Sequence, residues 1–354
     1  MTEILKLNPQ KPEKEIIQKA AEIIKRGGLV AFPTETVYGL GANAFDYSAV
    51  QRIFLAKGRP ANDPLIVHIL NASWLNRVVE EIPPQTEILV KHFWPGPLTL
   101  IFPRGASVPL IVTAGGKSVA VRAPSHPVAQ ALLSAADLPV AAPSANRFGH
   151  TSPTTASHVL DDLAGRIDLI LDGGECPIGL ESTVLDLTQT PPVILRPGGV
   201  PREEIESVIG RVRVANKLSA AHSNQTLSSP GLLERHYSPH ATLILIEVSS
   251  SERKNAIQKV QEILRGILKE PHRRAGILTV DEEARFFDLF PNLEVISLGS
   301  IHNLSEIGKN LFAGMRTLEQ AGVDMILTTD FGETGLGLAI RDRLRRAATQ
   351  IIQS

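Results

Sequence analysis

Short apolar runs, broken by proline and glycine, recur at Leu29–Phe32, Leu65–Leu70, Leu98–Phe102, Ser118–Val121, Val140–Ala142, Leu169–Leu171, Val184–Leu187 and Val193–Leu195. Runs this short, bounded by turn residues, suit buried strands better than buried helices. Between them, helical spacing of apolar residues marks Asp46–Ala56, Gln85–Phe93, Pro127–Ala135 and Thr154–Leu163, and Glu13–Arg26 precedes them, stopped by Gly27-Gly28. Such alternation predicts a mixed α/β domain with much of its surface in turns and loops, where binding groups concentrate.

The pattern breaks at Lys217–Ser238, a polar, Ser-rich stretch that reads as a linker. Beyond it, strand-like runs ATLILIEV, AGILTV, LEVISL and VDMILTT alternate with helical patterns at Glu252–Leu268 and Leu304–Gln320, and a last helix is predicted over Leu338–Ile351. Regular β/α alternation predicts a small parallel sheet covered by helices. The expected organisation is a first α/β domain over 11–212, a linker over 213–240 and a second domain over 241–354. The length of 354 residues agrees with two domains. With 36 Lys+Arg against 37 Asp+Glu, the chain lacks the overall basic charge of a dedicated nucleic-acid binder, so any positive site must be local. A single cysteine, Cys176, excludes an internal disulfide or a cysteine-built zinc site and reads as a buried thiol. No apolar run approaches the length of a spanning helix, and the N-terminal stretch has no apolar signal core, so a cytoplasmic location without membrane contact is expected.

Several loops at strand ends could carry chemistry. GGLVAFPTETVYGLGANAF places a polar turn after a buried strand and then Gly39 and Gly41, which let backbone approach a ligand, although an ordinary turn has the same composition. It matches neither standard glycine-rich nucleotide loop. Lys57 and Arg59 leave a helix at a glycine and run into Pro60 and Pro64, an arrangement suited to a helix C-terminal cap as well as to an anion site. His68 lies inside the following strand, more often a structural position than a catalytic one. Ser118 and Arg122 share a strand face. Ser144, Asn146, Ser152 and Thr154 follow a buried strand with groups that can hydrogen-bond phosphate or ribose, and they also form the N-cap region of the next helix. Ser182 and Thr183 enter a strand and Arg196 leaves one. Together these ends bear Lys, Arg, Ser, Thr and Asn with few carboxylates, which suits a polyphosphate-like ligand. Pro239 interrupts His236 and His240, so a helical metal site built with Glu234 is not expected.

In order, TETVYGLGANA, KGRPANDPLIVH, VAVRAPSHP, APSANRFGHTSPT, GLESTVLDL, ILRPGG and SPGLLERHYSP resemble the motifs of the Sua5/YrdC family, and GLGLAIRDRLRRAA resembles the C-terminal Sua5 domain. The resemblance runs from about Lys11 to the end. It implies a YrdC-like mixed α/β domain with a basic cavity, followed by a smaller Rossmann-like parallel α/β domain. It also implies a nucleotidyltransferase that makes threonylcarbamoyl-AMP and pyrophosphate from L-threonine, bicarbonate or carbon dioxide, and ATP, for the t6A modification of tRNA. On matching positions it implies a threonine set of Thr36, His68, Arg122, Ser182 and the main chain of Ala142. The implied ATP set is Lys57, Arg59, Asp63, Ser118, Ser144, Asn146, Ser152, Arg196 and His236, with Lys57 and Arg59 catalytic. A carboxylate at Asp63 beside phosphates calls for a cation, a ribose or a metal next to it.

The implied nucleophile, a threonine carbamate, is already an anion, so the site needs cations to bring two anions together more than it needs a base. Mg2+ is expected to accompany ATP, held mainly by substrate oxygens and water and by no dedicated protein metal site. The product is expected to pass to the tRNA threonylcarbamoyl-transfer machinery. A weak contact with tRNA is a second expectation; a non-catalytic RNA-binding module and another carbamoyl-adenylate enzyme are the competing readings. Pro230–Pro239 is expected to cover the nucleotide side of the first domain, with His236 near the phosphates.

Overall fold

The computed structural model describes residues 1–215, 237–248, 253–270 and 272–353. Most of the expected linker, including His236 and residues 230–236 of the expected cover, lies outside the described residues. The chain forms two compact units, one of residues 1–148, 152–177 and 181–232, the other of 149–151, 178–180 and 233–354.

The described part of the first unit is built on an 11-stranded mixed sheet. Its strands are β1 (Glu3–Lys6), β2 (Val30–Phe32), β3 (Gly39–Asn43), β4 (Ile66–His68), β5 (Leu98–Pro103), β6 (Ser118–Arg122), β7 (Val140–Ala141), β8 (Leu169–Asp172), β9 (Thr183–Asp186), β10 (Val193–Arg196) and β11 (Arg213–Val214). They lie in the order β1-β8-β2-β3-β7-β4-β6-β5-β9-β10-β11. Between them run α1 (Lys14–Lys25), α2 (Tyr47–Lys57), α3 (Gln85–Phe93), α4 (Pro127–Ala136), α5 (Ala156–Leu163) and α6 (Arg202–Ile209). Because strand side chains alternate, Val30 and Phe32 pack with α1 and α4, whereas Ala31 packs into the larger core with α2 and α5. Both faces are therefore buried, which explains why the strands read as continuous apolar runs.

Local signals fix the element ends that matter for the site. Asp46 caps α2, accepting from the amides of Ser48 and Ala49, and Gly58, at φ 66°, stops the helix in the left-handed region. Lys57 and Arg59 consequently flank that stop. Gly41 is required by packing, since a side chain there would strike the Phe32 ring and Val140.

The second unit carries a five-stranded parallel sheet of β12 (Thr242–Glu247), β13 (Ala275–Thr279), β14 (Leu293–Ser297), β15 (Met325–Thr329) and β16 (Gln350–Gln353), in the order β14-β13-β15-β12-β16. Its helices are α7 (Arg253–Ile267), the short α8 (Asp281–Ala284), α9 (Leu304–Gln320) and α10 (Gly337–Ala347). Ile244 and Ile246 pack with α7, and Leu243 and Leu245 with α9 and α10, so helices cover both faces. The strand order differs from that of dinucleotide-binding folds, in which the first strand is central between the second and fourth. The helix expected to reach Ile351 ends at Ala347. Ala348 is extended, and Thr349 donates to the Leu243 carbonyl, so the last apolar residues pair with β12 as β16. Among the described residues no helix is long and apolar enough to cross a membrane.

Candidate active site

Strand pairing brings several of the expected residues to one edge of the first sheet. His68 and Arg122 are register partners at the ends of parallel β4 and β6. β5 starts beside them with Leu98 opposite Thr183, and Arg196 ends β10 opposite Val184. Ser118, at the other end of β6, lies about 13 Å from Arg122 at the usual strand rise.

Arg122 is buried among protein acceptors. It donates to Thr36 Oγ1 at 2.9 Å and to the Gly96 carbonyl at 3.2 Å, and its Nη2 lies 2.7 Å from Glu35 Oε1. Thr36 is held in turn, its hydroxyl 2.8 Å from Thr34 Oγ1, which donates to the Val37 carbonyl. His68 is buried beside Arg122 and meets the Phe32 ring edge-on at 6.3 Å between centroids. Burial, reinforced by the Arg122 charge, lowers its pKa to about 3, so the imidazole is neutral at physiological pH. Ala142 is buried, and its amide donates to the Ile66 carbonyl.

Ser182 joins the two expected sets. Its hydroxyl is 2.7 Å from Thr99 Oγ1 and accepts from Arg196 Nη2 at 3.2 Å, while Arg196 also donates to the Ser182 carbonyl. The Pro197–Gly199 turn presses on this corner: a side chain at Gly198 would strike the backbone of Glu181, Ser182 and Thr183. Ser152 donates to Glu181 Oε1.

The two family pairs, Lys-x-Arg and Ser-x-Asn, form one unit. Lys57 Nζ donates to the carbonyls of Ser144 and Asn146 at 2.6 and 2.5 Å, and the Phe148 amide donates to the Lys57 carbonyl. Burial, followed by the Arg59 charge, pulls the Lys57 pKa well below its ordinary value, with Asp162 and Asp63 opposing. Arg59 pairs with Asp63 at 2.9 Å and donates to the carbonyls of Asp63 and Pro64. Asp63 therefore has the cation it requires.

The expectation of few carboxylates is corrected. Glu35, Asp63 and Glu181 are buried among the cationic and hydroxyl groups, against Arg122, Arg59 and Ser152 respectively. Guanidinium groups removed from water need counter-charge before any ligand arrives. Glu35 stands in the TET motif and Glu181 in the LEST motif, so the signal was present in sequence, but their partners are set by tertiary packing. Cys176 is buried and its thiol pKa is pushed up by desolvation, as a structural cysteine requires.

The fold thus sets an arginine-threonine corner beside a second arginine and a lysine-held loop. Residues 22–198 match the Sua5/YciO/YrdC family model, described as "Telomere recombination", and residues 200–349 match a model described as "Threonylcarbamoyl-AMP synthase, C-terminal domain". The chain is 47% identical over 332 residues to a threonylcarbamoyl-AMP synthase of Pyrococcus abyssi, covering 94% of each chain. It is 44% identical to the Bacillus subtilis protein of the same name, over 94% of this chain and 92% of that one. The crystal structure of P. abyssi Sua5 complexed with L-threonine superposes with a TM-score of 0.90 at 45% identity over all of both chains. The chain belongs to the Sua5/YrdC family, in the form that carries the C-terminal Sua5 domain.

Proposed function

We propose that this chain is an L-threonylcarbamoyladenylate synthase, joining L-threonine, bicarbonate or carbon dioxide, and ATP into threonylcarbamoyl-AMP and pyrophosphate. The observation that carries this reading is the Ser182–Arg196 hydrogen bond, which ties the threonine set to the ATP set. A site whose amino-acid corner and nucleotide corner share a hydrogen bond suits a ligand that is both, an aminoacyl-type adenylate. The whole-length similarity to a structure complexed with L-threonine supports the amino-acid half.

Arg122, Thr36, His68, Ser182 and the Ala142 main chain receive threonine in this reading. The substrate carboxylate takes over, or shares, the guanidinium that Glu35 holds. Threonine nitrogen adds to carbon dioxide and loses a proton, giving a carbamate. A carbamate oxygen then bonds to the α-phosphorus as the bridging bond to the β-phosphate breaks and pyrophosphate leaves. Neutral His68 adds no charge to either anion. Arg59 and Arg196 lower the repulsion between them, and Lys57 holds the Ser144–Asn146 loop on which the phosphates rest. Ser118, Asp63, Ser152 and His236 complete the ATP set.

An Mg2+ ion would accompany ATP. Asp63 and Glu181 offer the oxygen donors a hard cation prefers, but Arg59 and Ser152 already engage them, so phosphates and water supply most of its ligands. Its contribution is to neutralise phosphate charge. The product serves t6A formation through a tRNA threonylcarbamoyl-transfer machinery in the cytoplasm. Incubation with threonine, bicarbonate and ATP should yield threonylcarbamoyl-AMP by mass spectrometry, with one pyrophosphate per product. ATP turnover that is independent of threonine would overturn the reading.

A further inference from the structure

The second unit brings two imidazoles and a carboxylate together. His150, His240 and Glu319 each offer one ligand atom within 4.8 Å of the others. His150 Nε2 is 3.1 Å from Glu319 Oε2, and the two imidazole rings stack at 4.9 Å between centroids, 28° apart. Two tetrahedral ligands, each about 2.0–2.1 Å from a zinc ion, stand about 3.3 Å apart. The His150–Glu319 spacing already has that span.

The backbone holds the three groups in place. The His240 amide donates to Glu319 Oε1 at 2.6 Å, which turns Oε2 towards His150 and supplies the outer hydrogen bond that ligating carboxylates usually have. On either side of His150, the Gly149 carbonyl accepts from the Ser238 amide at 2.7 Å and the Thr151 carbonyl from Arg316 Nη2 at 2.6 Å. Glu319 stands in the last turn of α9, where helix carbonyls favour a cation.

We propose that His150, His240 and Glu319 bind a borderline divalent cation of the first transition row, zinc being the reference, with water completing the shell. The nitrogen donors exclude Mg2+ as its occupant and separate this site from the metal that travels with ATP. The ion binds the deprotonated ring nitrogens and the carboxylate, so binding weakens as pH falls. Occupied, the site would clip residues 149–151 to the 237–240 segment and to α9.

The test is zinc titration of the metal-stripped full chain at neutral pH, without nucleotide, against a chromophoric competitor. One zinc should bind per chain, undisturbed by excess Mg2+. His150→Ala/His240→Ala should abolish it, and Glu319→Gln should weaken it about tenfold or more. His240 is exposed, so His240→Ala alone provides a variant that keeps its fold, checked by circular dichroism. Cobalt should give a visible band of low-symmetry tetrahedral coordination in the wild type that His240→Ala removes. Zinc binding unchanged in both histidine variants, or no binding by the wild type, overturns the proposal.

Discussion

Glu35→Gln is the most informative single change, because it removes a charge while keeping size. Glu35 is 5% and Arg122 3% exposed, and the carboxylate meets the guanidinium at 2.7 Å. Unit charges about 4 Å apart interact by about 4 kcal/mol at the effective dielectric of protein sites. Neutralising one partner of a buried pair strands the other, at a cost of about 3–5 kcal/mol. For a unit of this size each kcal/mol moves the midpoint by about 2–4 °C, so the first thermal transition should fall by roughly 6–20 °C. Threonine then discriminates. If its carboxylate binds Arg122, it restores the missing counter-charge, and saturating threonine should raise the midpoint of Glu35→Gln more than that of the wild type. Scanning fluorimetry with and without threonine measures both quantities. Pairing the change with Arg122→Met should recover part of the lost stability, since the stranded charge goes too. A loss under about 1 kcal/mol, or equal threonine shifts in variant and wild type, would refute the reasoning.

Three further outcomes are expected. Arg122→Ala should raise the KM for threonine far more than that for ATP in steady-state assays, and equal effects would reject its place in the threonine set. Lys57→Met leaves the Ser144 and Asn146 carbonyls without their shared donor, so stability should fall by about 1–3 kcal/mol alongside turnover; lost turnover with intact stability would instead put Lys57 directly on substrate. His68, neutral when folded with a pKa near 3 and ordinary when unfolded, gives stability that is complete above about pH 6.5 and declines as pH falls towards 3, by up to about 1.4 kcal/mol per pH unit. His126, also lowered by burial, adds to the same acid-side slope, and His68→Gln should flatten the acid limb of denaturant midpoints measured between pH 7 and 4.

Much of this architecture was legible because the strands are buried on both faces and their runs end at glycine or proline. The helices Gln85–Phe93 and Leu304–Gln320 have the predicted ends. β3, with the sequence GLGAN, carries little strand propensity and exists because Gly41 lets Phe32 and Val140 close on the backbone. β16 was absorbed into a predicted helix because apolar spacing continues past Ala347, and only pairing with β12 separates the two. At the site, residue types were readable where motifs are dense, including the Asp63 that Arg59 meets four residues further along the loop. The lysine that binds two carbonyls, the Ser182–Arg196 link and the Glu35 counter-charge depend on contacts between distant segments, which spacing alone does not encode. His236 lies outside the described residues.

The lone buried cysteine has a practical consequence. Cys176 sits behind Thr34, its thiol shielded and its amide bonded to the Thr154 carbonyl. To a maleimide, the native chain is therefore a nearly blank background, and a cysteine introduced on the surface can carry a fluorophore or spin label without removal of the natural one. The slow labelling that Cys176 itself undergoes then acts as a clock. Its rate counts excursions in which the turn from Thr34 to Tyr38 lifts away, and slowing by threonine would report directly that the substrate holds that turn shut.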